Sequence, residues 1–197
     1  MTVTLTPEHK SAITGMVRIG INSGIAALNA MTGGTARLTP VRLDVVTARE
    51  AANLMGLPGS GAVSAITMRF HGQIAGAAAI LFPPGSASNM AVALTGEPPL
   101  ANGLSQAGSS ALSELGNIMI NSLVGSITNA VQLRAIFSVP AYHEETPAEL
   151  AAGFFGDGAL ALAVAHFSMD EPLVEGIILV FFESPHLAAL AGGTISP

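Results

Sequence analysis

Residues 19–23 read IGINS, and residues 118–122 read IMINS, 99 positions later. The same offset aligns Thr47 with Thr146, Glu50 with Glu149, Ala52 with Ala151 and Phe82 with Phe181. Pro40 and Pro140 face each other one step out of that register, at an offset of 100. A register held over most of a half-chain marks a duplication, and a duplication constrains every later assignment.

The reading extends outward from each pentapeptide. Leu112, Leu115, Met119, Ile127 and Val131 recur at helical spacing, which predicts a long helix over about 108–132, with its counterpart over about 9–32. A strand is expected next in each copy, over 36–46 and 134–142. Thr47 and Thr146, each with a glutamate three residues on, have the form of a capping box and should open short helices. Hairpins follow, with strands near 62–71 and 73–82 in the first copy and near 159–167 and 173–182 in the second. Each copy closes on a short apolar segment after proline, at 86–94 and 186–191. The halves run over about 9–95 and 108–192, joined by a linker of about 96–107 that carries Pro98 and Pro99. Three strands per half bury little alone, and two halves pairing into one sheet bury far more. The expectation is a single α+β domain over 1–197, internally duplicated, with two pseudo-symmetric halves sharing a β-sheet and the two long helices packed on it.

Composition narrows the function classes. Half of the 197 residues are hydrophobic and only 10% are charged, with a net charge of −6. The seven Lys and Arg residues are scattered, so the chain has no basic surface for nucleic acid. There is no cysteine, which excludes disulfides, thiol catalysis and Cys-ligated zinc. The five histidines have no paired ligand spacing, so no metal site is expected. The charge-free stretch 72–96 is broken by Pro83 and Pro84, and 115–133 is interrupted by Asn117, Asn121 and Asn129. Neither is an apolar run of about 20 residues, so no membrane span is expected. The opening MTVTLTPEHK lacks the apolar core of a signal peptide, and the expected location is cytoplasmic.

The two long helices differ on their polar faces. In the second, Ser110, Glu114, Asn117 and Asn121 follow at spacings of four, three and four, which puts them on one stripe. The matching positions in the first are Ser11, Gly15, Arg18 and Asn22. The Glu/Asn pair is therefore present once and absent once. By itself such a pair is commonly a solvated helix face, and Arg18 reads the same way, although asparagine favours caps and turns over helix interiors. The glycines of GLPGSG (Gly56, Gly59, Gly61) lack the lysine and strand-to-helix setting of a phosphate loop and read as a surface loop. Gly153, Gly156 and Gly158 read as turns, and the methionines as core filler.

On these residues the chain resembles the CheC, CheX and FliY phosphatases. Their motif is Asp or Ser, three residues, Glu, two residues, Asn, then twenty-two residues and Pro. Ser110, Glu114, Asn117 and Pro140 satisfy every element, and SALSELGNIMINS resembles the family's helix. IGINSGIAALNAMTG resembles the other repeat, and the resemblance spans about residues 9–192. The first copy departs from the motif. It keeps Ser11 but has Gly15 and Arg18 in place of the acid and the amide, and its proline comes one place early.

The resemblance implies one active site, beside a degenerate second one at Ser11, Gly15 and Arg18. The implied substrate is the aspartyl phosphate of a CheY-like response regulator in chemotaxis signalling. Asn117 would hold the attacking water, and Glu114 would dock on the receiver's lysine. Ser110 and Asn121 would contact the partner, with Ser110 alternatively capping the helix, and Pro140 would fix the backbone. Mg²⁺ would come with the receiver, and no cofactor is expected on this chain. CheD is a further partner the family implies. The alternatives are a non-catalytic adaptor of the same fold, binding a receiver, CheD or a flagellar-switch component, and a small-molecule binding domain outside signalling.

Overall fold

In the computed structural model the first half runs α1 (Pro7–Thr32), β1 (Arg37–Leu38), β2 (Arg42–Val46), α2 (Ala48–Leu54), β3 (Val63–Gly72), β4 (Gly76–Phe82) and α3 (Ser86–Thr95). The second half repeats that order as α4 (Gln106–Ala130), β5 (Ala135–Phe137), β6 (Ala141–Glu145), α5 (Pro147–Phe154), β7 (Leu160–Met169), β8 (Val174–Glu183) and α6 (Leu187–Leu190). The structure describes residues 5–54, 61–98, 100, 103–154, 160–183 and 186–190. The loop expected at Gly56 and Gly59, the turn at Gly156 and Gly158, part of the linker and the chain after 190 lie outside the described residues.

Local chemistry sets the boundaries. Thr6 caps α1 by accepting a hydrogen bond from the His9 N–H at 3.2 Å, and Pro7 occupies the first turn, where no intrahelical donor is needed. Ser105 caps α4, accepting from the Gly108 N–H at 2.9 Å. Both capping boxes form. The Thr47 N–H donates to Glu50 at 2.8 Å and the Thr146 N–H to Glu149 at 2.9 Å, while each glutamate N–H returns to the threonine hydroxyl.

The two strands expected at 36–46 and 134–142 are each broken. β1 and β2 both pair with β7, and β5 and β6 both pair with β3. The breaks carry Pro40 and Pro140. Proline lacks the N–H that a ladder needs, and it is tolerated here because these are the outer strands of the sheet. At the same point in each copy a backbone bond of 2.9 Å spans the break, from Thr39 N to His166 O and from Ser138 N to Arg69 O.

The sheet is antiparallel throughout, ordered β1-β7-β8-β4-β3-β5, with β2 continuing beside β7 and β6 beside β3. The halves join where β4 pairs with β8, and Ala79 lies opposite Leu179, one step from the 99-residue register of the repeat. That pairing puts a pseudo-twofold axis at the centre of the sheet. Register on both sides obeys it: Leu38 faces Phe167 as Phe137 faces Phe70. Two edge-on ring pairs, Phe70–Phe182 at 5.9 Å and Phe82–Phe167 at 6.0 Å, are the same contact in the two halves.

Both faces of the sheet are covered, which is why every residue of β4 is buried. On one face Ala78, Ile80, Phe82, Ile178, Val180 and Phe182 pack with the apolar sides of α1, α3 and α4. On the other, Ala77, Ala79, Leu81, Ile177, Leu179 and Phe181 pack with Ala51 of α2 and Leu150 and Ala151 of α5. The short helices thus form a third layer, which the repeat alone did not place.

The repeated pentapeptides meet where α1 crosses α4. A Cβ on Gly20 would stand 2.6 Å from the Leu123 carbonyl oxygen, so only glycine allows the backbones this close. The Ser126 hydroxyl donates to Ser23 Oγ at 2.9 Å across the same crossing. By length and composition α1 is apolar enough to cross a bilayer, with a mean hydropathy of 1.2. Its Ile13, Val17, Ile21, Ile25 and Leu28 are instead buried in the core.

Candidate functional site

Helix α4 presents two different sides. Leu112, Leu115, Gly116, Met119, Ile120 and Leu123 are buried on one. Ser110 and Glu114 are exposed on the other, with Asn117 and Asn121 half-buried. The stripe expected from the spacing therefore exists as one continuous polar face. Gly116 seats it against the sheet, because a Cβ there would come within 2.3 Å of Ile66 Cγ2 on β3. Asn117 is thus next in sequence to a position where α4 lies too close to the sheet for a side chain.

The Glu114 side chain makes no hydrogen bond or ion pair with any described residue, and its carboxylate is free for a partner. The Ser110 hydroxyl is likewise without a hydrogen bond among the described residues. It lies in the second turn of the helix, and the cap is Ser105, so the capping role considered for Ser110 does not hold. Asn121, expected to contact the partner, also bonds within its own helix. Its Nδ2 donates to Asn117 Oδ1 at 2.7 Å and to the Asn117 carbonyl at 2.8 Å. Sequence spacing shows that the two residues share a face, but not that one side chain holds the other.

Pro140 lies at the break between β5 and β6, the two strands of this half that α4 packs against. Beside it Val139 is 83% exposed and Ile136 63% exposed, an apolar rim that spacing did not single out. The signal for it was two apolar residues in an edge strand with no cover. Tyr142, on β6, has its phenol pushed up to about 12, chiefly by burial, and donates to Glu144 at 2.7 Å. It stays neutral at any working pH and is not available as a base.

The pseudo-symmetric position in the first half is an open groove of about 880 Å³. Ser11, Gly15, Arg18 and Asn22 line one wall, and the broken edge at Leu38–Val41 lines the other. Arg18 is exposed with no ion pair among the described residues, as the solvated reading expects. Lys10, also in the groove, is held by Asp44 at 3.0 Å. Nothing here supplies the carboxylate–amide pair. Among the described residues no group of three or more His, Asp or Glu is placed to hold a metal ion.

No protein-family model matches the sequence, and no curated protein matches it. Solved structures do. FliY of Thermotoga maritima superposes with a TM-score of 0.72 at 17% identity, over 96% of this chain and 97% of that one. CheX of Vibrio vulnificus gives 0.60 at 15% identity, over 86% and 99%. FliM, in its complex with SpeE from H. pylori, gives 0.71 at 10% identity, over 98% and 100%. The fold is the one shared by FliY, CheX and FliM. Its two broken edges and two long helices are the frame on which the polar face of α4 sits, and identity this low carries the frame and no residue's role.

Proposed function

We propose that this chain is a cytoplasmic phosphatase that hydrolyses the aspartyl phosphate of a CheY-like response regulator in chemotaxis signalling. The observation that carries the reading is the pairing of an uncommitted Glu114 carboxylate with the Asn117 carboxamide. They lie one helical turn apart on the polar face of α4, in a fold shared with the chemotaxis protein CheX.

Phosphoryl transfer from an acyl phosphate needs little covalent help, because the phosphate is already labile and the receiver brings its own Mg²⁺ and lysine. Placement of water is what remains, and catalysis of this class is mostly positioning and electrostatics. A carboxamide suits it: the oxygen accepts from the attacking water and the NH₂ donates to a neighbouring oxygen. Asn117 takes that part, holding water in line with the scissile bond. An amide is too weak a base to take the proton outright. Glu114 docks on the receiver's lysine, and desolvation on docking strengthens that pair. Ser110 extends the polar contact, and Val139 and Ile136 add apolar contact at the rim. No step calls for a cofactor held by this chain.

A second reading has its own observation. The first-half groove lacks the pair, and FliM is among the structures sharing this fold. A non-catalytic adaptor of a receiver, CheD or a switch component would need no second site. Turnover separates the two. At one chain per twenty phosphorylated receivers, a phosphatase clears the whole pool faster than spontaneous decay, whereas an adaptor alters the fate of one receiver in twenty at most.

A further inference from the structure

We infer that Asn121 is a positioning residue that fixes the carboxamide of Asn117. The Asn121 Nδ2 donates to two acceptors of Asn117, its Oδ1 at 2.7 Å and its main-chain oxygen at 2.8 Å. The second bond anchors Asn121 to helix backbone, so the first holds Oδ1 against a rigid element. An asparagine amide otherwise turns about a broad, nearly two-fold torsion and presents oxygen or nitrogen with little preference. With Oδ1 tied toward Asn121, the NH₂ of Asn117 faces outward and one lone pair of Oδ1 remains for a further donor. Donation into Oδ1 also polarises the amide, which strengthens its NH₂ as a donor.

The duplication supplies an internal control. Asn22 is the repeat mate of Asn121, four residues after Arg18 where Asn121 is four after Asn117. Asn22 is exposed and its side chain makes no hydrogen bond among the described residues, whereas Asn121 is half-buried and its Nδ2 is bonded to Asn117. The same residue type at the same place in the same fold is occupied only where Asn117 is present. The arrangement is therefore tied to Asn117 and is not a general property of the helix.

The catalytic meaning of this positioning rests on the phosphatase reading, but the positioning itself can be measured without it. Side-chain ¹⁵NH₂ relaxation of Asn117 is compared in the wild type, Asn121→Ala, Asn121→Gln and Asn22→Ala, with backbone amide spectra confirming the fold of each. Asn121→Ala should drop the Asn117 side-chain order parameter from the rigid range to below about 0.6. Asn121→Gln, which keeps a donor, should recover part of it, and Asn22→Ala should leave it unchanged. An Asn117 amide as ordered in Asn121→Ala as in the wild type overturns the inference. In turnover with a phosphorylated receiver, Asn121→Ala should lower kcat about tenfold with KM unchanged, the pattern of a misplaced group and not of lost docking. An Asn121→Ala effect confined to KM also overturns it. A wild type without phosphatase activity would defeat the functional reading and leave the order parameter to decide this one.

Discussion

Glu114 and Asn117 occupy adjacent turns, and in the proposed reaction their settings divide the work between them. Glu114 is exposed and uncommitted, and Asn117 is half-buried and held by Asn121. An exposed charge steers and docks, while a held amide positions. Glu114→Lys should therefore weaken binding to a Mg²⁺-loaded receiver about tenfold or more, read by titration with beryllofluoride standing in for the phosphoryl group. Unchanged affinity would remove the proposed lysine pairing. Gly116, between the two, has a structural part. Gly116→Ala drives a methyl into Ile66, and overpacking of this kind costs about 1–3 kcal/mol. The urea midpoint should fall accordingly; a variant as stable as the wild type would mean that α4 can lift from the sheet at no cost.

At the scale of elements, the capping boxes are the clearest devices. Hydrogen bonds from the backbone and hydroxyl of Thr47 and Thr146 hold the Glu50 and Glu149 carboxyls below the ordinary value of 4.5. Groups whose pKa is depressed by folding stabilise above the unfolded value and lose that contribution as pH falls through the folded one. The contribution is thus complete above about 4.5 and disappears at lower pH. Glu50→Gln and Glu149→Gln should lower the urea midpoint at pH 7 and lose that effect as the pH falls below the ordinary carboxyl value. Equal losses above and below that value would contradict the assignment.

These boxes were legible in the sequence because a capping box is a local code of two residues at fixed spacing. The long helices were legible to within two residues of their starts, since the apolar stripe has a period. The breaks at Pro40 and Pro140 were not read as breaks, because a proline ends a ladder only where neighbouring strands say so, and edge position is a property of the sheet. The bond between Asn121 and Asn117 was not legible either. Spacing gives a shared face, and which amide hydrogen meets which oxygen is decided by rotamers. Ser105 in place of Ser110 as the cap of α4 is the same lesson, since two serines five residues apart both suit a helix start.

Over the whole molecule, duplication explains why neither half is self-sufficient. The central pair β4 and β8 belongs to different halves, and removing either strips cover from Ala77–Leu81 or Ile177–Phe181. Elements that share one sheet and both apolar layers open together. Amides of β3–β4 and β7–β8 should therefore exchange with opening free energies within about 1 kcal/mol of each other. A hairpin exchanging well before the other would show two units where the sheet joins them. The same symmetry lets the chain keep its frame while only one of two equivalent positions carries the Glu/Asn pair, the other having Gly15 and Arg18.

The proposed action of Asn117 on phosphate held by another protein is read most simply in the decay of phosphoryl label on a Mg²⁺-loaded CheY-like receiver. Three samples suffice: buffer, wild type and Asn117→Ala. Decay accelerated by wild type alone, with Asn117→Ala folded and equal to buffer, is the expected result. Equal acceleration by wild type and Asn117→Ala would contradict the account at its centre.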